Sequence, residues 1–111
     1  MQIQDKVGIV TGAASGIGRA TALELVSHGV KGIALVDLSE TAVVEFAEQI
    51  NGLAERELAL AFAGDVTDAE FRAQVFDETS SHHGMVQIMV PAAGIFKDRL
   101  AVKIERNTGE A

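Results

Sequence analysis

Three glycines and one acid carry the chemistry most legible in these 111 residues. Gly12, Gly16 and Gly18 lie in the stretch T-G-A-A-S-G-I-G from Thr11 to Gly18, after the apolar run Val7 to Val10 and before a helix-like segment from Ile17 to about His28. Glycines between a buried strand and a helix N-terminus let the backbone turn sharply and leave room for a pyrophosphate where side chains would otherwise stand. The unpaired N–H groups of the first helical turn then face that phosphate, with the helix dipole in the favourable sense. Asp37 ends the next apolar run, about 20 residues on, the distance expected of an acid that hydrogen-bonds the adenosine ribose. A glycine triplet alone is equally a tight strand-to-helix turn. Strand, loop, helix, strand and acid in that order predict a dinucleotide site.

The elements that must position these residues alternate. The first strand is expected over Lys6 to Val10 and the first helix over Ile17 to His28, closed by Gly29. Thr21, Glu24, Ser27 and His28 are its expected wet face, and Ala20, Leu23 and Val26 its face toward the sheet. Ile33 to Val36 is a continuous apolar run, the mark of a parallel strand covered on both faces. Ser39 is placed to cap a second helix with Val43, Phe46, Ala47, Ile50 and Ala54 inward and Glu45, Glu48 and Gln49 outward. A third strand reads from Leu58 to Ala63. Thr67-Asp68-Ala69-Glu70 has the capping-box pattern and opens a third helix, to about Ser81, with Phe71 and Val75 inward. A fourth strand runs from Gln87 to Val90.

Such alternation predicts an α/β doubly wound parallel sheet of Rossmann type, strand order 3-2-1-4, with the ligand crevice above the C-terminal ends of strands 1 and 4. Residues 1 to 111 form one expected domain. Its tail, residues 95 to 111, reads as the start of a hairpin: Ala101 to Ile104 could be a short strand, followed by turn-forming Asn107 and Gly109. The return strand and the neighbour expected beside strand 4 are missing, so the sheet reads as truncated before a fifth strand.

Composition narrows the function classes. Apolar residues are 48% and charged residues 23%, ordinary for a globular chain. With no cysteine, thiolate catalysis, disulfides and cysteine metal sites fall away. A net charge of −7 argues against a nucleic-acid partner. No apolar run nears the roughly 20 residues of a membrane span and no basic-then-apolar leader opens the chain, so the expectation is a soluble, cytoplasmic protein without a membrane partner. Adjacent His82 and His83 point in different directions with no further ligand at metal spacing, which favours interaction with a helix C-terminus over a metal site. Met85 and Met89 read as core filler. Arg19, and Lys97, Arg99 and Lys103 in the tail, read as solvated.

At the rim, Asp37 reads as a ribose ligand rather than a helix cap, because Ser39 serves as cap. Its carboxylate would repel a 2′-phosphate, and neither Ser15 nor Leu38 offers a cation for one, so NAD is expected over NADP. Asp65 fits a helix cap and an adenine contact equally well.

Thr11 to Gly18 resembles the T-G-x-x-x-G-I-G motif of the classical short-chain dehydrogenases/reductases, with a spacing that differs from the extended members. Asp37 stands where that family places its ribose acid. Gly64-Asp65-Val66-Thr67-Asp68 looks like its D-V turn after strand 3, and Pro91-Ala92-Ala93-Gly94 aligns with its N-N-A-G motif after strand 4. Ile95 to Lys103, with Asp98 and Leu100, looks most like the 3-oxoacyl-carrier-protein reductase branch.

The resemblance implies an oxidoreductase that transfers a hydride between a nicotinamide cofactor and an alcohol/carbonyl pair. It assigns the pyrophosphate to Gly12, Gly16, Ile17 and Gly18, the ribose to Asp37, the adenine to Asp65 and Val66, and the approach to the nicotinamide ribose to Ala92, Ala93 and Gly94. Ala14, Ser15 and Leu38 complete the expected cofactor-binding positions. Full-length members are expected to be homo-oligomers.

Two departures stand out. Pro91 and Ala92 replace the motif's asparagines and remove the side-chain hydrogen bonds that steady the end of strand 4. The family's catalytic serine, tyrosine and lysine lie beyond strand 5, and this sequence contains no tyrosine, so no catalytic residue is assigned here. The expectation is the cofactor half of such an enzyme. The alternative is a non-catalytic dinucleotide-binding or interaction module whose fourth strand is covered by self-association or a partner.

Overall fold

The computed structural model describes residues 2–92. Seven elements alternate: β1 (Val7–Thr11), α1 (Gly16–Ser27), β2 (Gly32–Asp37), α2 (Glu40–Ala54), β3 (Ala59–Ala63), α3 (Ala69–His83) and β4 (Val86–Pro91). The strands form one parallel sheet in the order β3-β2-β1-β4, as the alternation predicts. The tail segment 95–111 lies outside the described residues, as do Ala93 and Gly94.

β2 shows why its sequence is apolar without a break. Ile33 and Leu35 point into the layer shared with α1 and α2, where Phe46, Ile50, Val43 and Leu25 are buried. Ala34 and Val36 point the other way, into the layer under α3 with Ile9, Phe62 and Val75. A strand with helices on both faces has no wet side, so period-two alternation disappears. Ser39 caps α2, its Oγ accepting from Ala42 N–H at 3.3 Å. The inward stripe of α2 is the expected one: Val43, Phe46, Ala47 and Ile50 are buried and Ala54 packs against them.

Four expectations are corrected. The face of α1 turned to the sheet is Gly18, Ala22 and Leu25, with Val26 half-buried, whereas Ala20 is exposed and Leu23 is 40% exposed. The phase of α1 is set by backbone proximity: a Cβ at residue 18 would collide with the Gly12 carbonyl, so the smallest residues, not the most apolar, mark the contact face. At α3 the cap is Asp68, whose Oδ1 accepts from Glu70 N–H at 3.0 Å, while the Thr67 hydroxyl donates to Asp65 Oδ1 at 2.7 Å. Thr67 is drawn into the turn of Asp65 and is unavailable as the cap.

Met85 and Met89 are exposed, by 77% and 46%, and not core. Met85 precedes β4, and Met89 stands in register with Ile9 on the α3 face of the sheet, where it lines a cleft beside α3 and is not enclosed by it. Finally, the two histidines in the last turn of α3 diverge. His82 Nδ1 lies 3.1 Å from the Glu78 carbonyl oxygen, while the His83 ring is buried where a Cβ of residue 32 would stand, and its Nε2 has no partner among the described residues. Burial first, then the nearby charge of His82, Arg56 and Lys31, holds His83 below its ordinary pKa against the opposing pull of Glu57. His83 is therefore a packing residue rather than a cation at the helix end.

Candidate functional site

The C-terminal ends of the four strands make one rim, and three loops rise from it. The first runs from Gly12 to Ser15 and is held from both sides. Ala13 N–H donates to the Val36 carbonyl at 2.9 Å, which fastens the loop to β2. The Ser15 hydroxyl donates to the Gly12 carbonyl at 2.6 Å and accepts from Gly18 N–H at 3.4 Å, so Ser15 both staples the loop and caps α1. Gly12 takes a φ of 67°, in the left-handed region.

These bonds leave a defined remainder. Of the first-turn N–H groups of α1, that of Gly18 is used by Ser15, and those of Gly16 and Ile17 have no acceptor among the described residues. The two glycines of the turn also differ. Gly18 lacks a Cβ because the chain's own backbone occupies its place, whereas nothing lies within 4 Å of a Cβ at Gly16. The space beside Gly16 is thus open, with two unpaired donors and the positive end of a helix facing it, an arrangement suited to an anion.

The second loop starts at Asp37, the last residue of β2. Its carboxylate spans two loops: Oδ2 accepts from Ala14 N–H at 3.0 Å and Oδ1 from Ser39 N–H at 3.2 Å. Its backbone carbonyl accepts from Gly64 N–H at 3.0 Å, at the base of the third loop. A carboxylate has about four acceptor positions, so Asp37 keeps capacity for a hydroxyl donor. Leu38 beside it is 73% exposed. The bridge from Asp37 to Ala14 has no signature in the sequence, because the donor is a backbone group of a residue with no polar side chain.

In the third loop Asp65 accepts from both the N–H and the hydroxyl of Thr67, at 2.9 and 2.7 Å. Val66 is half-buried, packs under α3, and gives its carbonyl to Arg72 Nη1 at 2.7 Å. It also lines a small apolar cleft of about 30 Å³ between the sheet and α3, together with Ile9, Thr11, Val36, Phe71 and Met89. At the fourth strand end Pro91 is exposed and Ala92 buried. The structure thus places Gly12, Ala14, Ser15, Gly16, Ile17, Gly18, Asp37, Leu38, Asp65, Val66 and Ala92 along one rim, with Asp37 touching all three loops.

Arg19 is turned away from this rim. Its guanidinium lies 4.3 Å from the centre of the Phe46 ring and donates to Gln49 Oε1 at 2.7 Å, tying α1 to α2 instead of standing free in solvent. Among the described residues no group of three His, Cys, Asp or Glu could hold a metal ion, and no helix is long and apolar enough to cross a membrane.

Comparison with known proteins adds to this geometry. Residues 6–110 match the family model of the short chain dehydrogenases. A 15-hydroxyprostaglandin dehydrogenase (NAD(+)) of Mus musculus is 35% identical over 99 residues, 89% of this chain and 36% of the relative. A 3-oxoacyl-acyl-carrier-protein reductase of Thermotoga maritima is 31% identical over 111 residues, all of this chain and 44% of that protein. The chain therefore spans about two-fifths of the length of these relatives. Among solved structures, a short chain dehydrogenase/reductase of Burkholderia phymatum in complex with NAD superposes with a TM-score of 0.73 at 27% identity, covering 80% of this chain and 31% of that one.

Proposed function

Because the chain belongs to the short chain dehydrogenase family, we propose that it is the cofactor-holding part of an oxidoreductase acting on an alcohol/carbonyl pair, with NAD preferred over NADP. The observation that carries this reading is the open space beside Gly16, faced by the unpaired N–H groups of Gly16 and Ile17 and lying two residues from the loop atom that Asp37 holds. These donors bind the pyrophosphate, with Gly12, Ala14, Ser15 and Gly18 shaping the loop behind it. Asp37 takes the adenosine ribose through its remaining acceptor capacity, and its charge disfavours a 2′-phosphate. Leu38, Asp65 and Val66 border the adenine. Ala92, with Ala93 and Gly94 after it in the sequence, is assigned the approach to the nicotinamide ribose on the strength of the motif.

When bound, the nicotinamide ring supplies the hydride donor or acceptor. The residues of this chain bind and orient. Proton transfer to the substrate oxygen requires an acid within hydrogen-bond reach, and with no tyrosine in the sequence that role is not assigned to any residue here.

Titrating NADH and NADPH into the full chain, followed by nicotinamide fluorescence, tests the reading. The wild type is expected to bind NADH more tightly than NADPH. Asp37→Ala is expected to weaken NADH about tenfold to a hundredfold, the loss of a hydrogen bond to a charged group, and to narrow the preference. No NADH binding by the wild type, or an unchanged affinity in the variant, would overturn it.

A further inference from the structure

Asn51 and Gly52 form the one Asn-Gly pair in the sequence, and the fold sets it in the last turn of α2. The Asn51 carboxamide is bound at both ends to β3: Nδ2 donates to the Ala59 carbonyl at 3.0 Å and Oδ1 accepts from Ala59 N–H at 2.7 Å. The Leu58 carbonyl accepts from Ile33 N–H and so faces β2. Backbone polar groups alternate in direction along a strand, and those of Ala59 point to the open edge of the sheet. β3 is the outermost strand on that side. The amide of Asn51 stands where the peptide of a further strand would stand.

Apart from Asn51 and Ala54, the same turn makes little contact with the rest of the fold. Gly52 has nothing within 4 Å of its missing Cβ, Leu53 is fully outside the core, and the helix closes on Glu55 with a φ of 59°, a left-handed conformation for a residue that carries a Cβ.

We propose that Asn51-Gly52 is a deamidation site guarded by the fold, an irreversible record of how often the end of α2 opens. In the reaction the deprotonated backbone nitrogen of Gly52 attacks Cγ of Asn51, the Cγ–Nδ2 bond breaks, and ammonia leaves. Water then opens the resulting five-membered imide to aspartate or isoaspartate. One water is consumed, one ammonia is released, and the chain gains one negative charge. A following glycine presents no side chain against the closing ring.

In the folded chain the reacting groups are kept apart. The side chain of Asn51 is tilted toward the helix N-terminus and tied to Ala59, and the N–H of Gly52 lies within the helix. Reaction therefore waits on local opening. Afterwards closure is impaired, because an aspartate has no donor for the Ala59 carbonyl. It also adds a carboxylate to the negative end of α2, which has no basic residue in its last turn. Isoaspartate is worse, since it lengthens the backbone inside the helix.

The test is peptide mapping by mass spectrometry of the full chain kept at 37 °C and mildly alkaline pH, with and without concentrated urea. Conversion at Asn51 is expected in urea and about a hundredfold slower without it, the protection of a segment that reacts only when open. Equal rates in the two solutions, or no conversion at Asn51 in urea, would overturn the proposal. Gly52→Ala, which has room for its methyl group and raises helix propensity, is expected to lower the native rate relative to its own rate in urea. An unchanged ratio would count against opening of α2 as the gate. Asn51→Asp is expected to melt at a lower temperature than the wild type or to fail to fold, and equal melting would remove the consequence drawn for the edge of β3.

Discussion

His83 is the side chain whose protonation this fold resists, and the direction of that resistance can be measured. Its ring fills the space over Gly32, and cationic neighbours add to the effect of burial in lowering its pKa from 6.5. Above that value the ring is neutral in both folded and unfolded chains and stability is at its full value. As the pH falls through 6.5 the unfolded chain takes up the proton first, so stability declines until the lowered folded pKa is passed. Urea midpoints between about pH 8 and pH 5 are expected to drop toward acid, and His83→Leu is expected to flatten the profile. An equally steep profile in the variant would remove His83 from the account. At the other end of the molecule Ser15 makes a separable prediction. Its hydroxyl holds both the Gly12 carbonyl and Gly18 N–H, so Ser15→Ala should lower stability in urea by about 1 kcal/mol, and it should weaken NADH because the loop loses its staple.

The helices differ in how far their sequences disclose them. α2 is legible because its contacts are made by large apolar residues at helical spacing, with Ser39 in the capping position. The order of the strands follows from alternation alone, and the glycine loop and Asp37 from their place at strand ends. α1 is a harder case. It meets the loop after β1 through Gly18 and the core through Ala22, whose importance lies in what they lack, and an apolar stripe chosen through Ala20 and Leu23 misses that face. Gly18→Ala would push a methyl group into the Gly12 carbonyl. It is expected to be among the most damaging single changes, lowering stability by about 3 kcal/mol or more and abolishing NADH binding, whereas Gly16→Ala should fold normally and lose affinity alone. Arg19 was equally hidden, because its partners Phe46 and Gln49 sit on another helix. Met85 and Met89 show the same limit at a sheet edge, where apolar character does not report burial.

For the molecule as a whole, a net charge of −7 means that an anionic dinucleotide approaches against the long-range field and is held by local donors. Raising ionic strength from about 0.01 M to about 0.15 M shortens the screening length from roughly 30 Å to roughly 8 Å. NADH affinity is therefore expected to rise or hold, and a steep fall with salt would show that side-chain cations, not the helix end, dominate binding. The three loops at the rim are also mechanically linked, because Ala14, Ser39 and Gly64 all donate to Asp37. That junction sets a rule for redesign. A protein engineer who wants the chain to accept a 2′-phosphate cannot simply erase the acid, since a bare alanine keeps the backbone bond to Gly64 but drops both carboxylate bonds, to Ala14 and to Ser39, and so frees the glycine loop from the end of β2. Replacement by asparagine or serine keeps an acceptor for Ala14, and the new cation belongs at the exposed Leu38, where a long side chain has room and no structural duty to abandon.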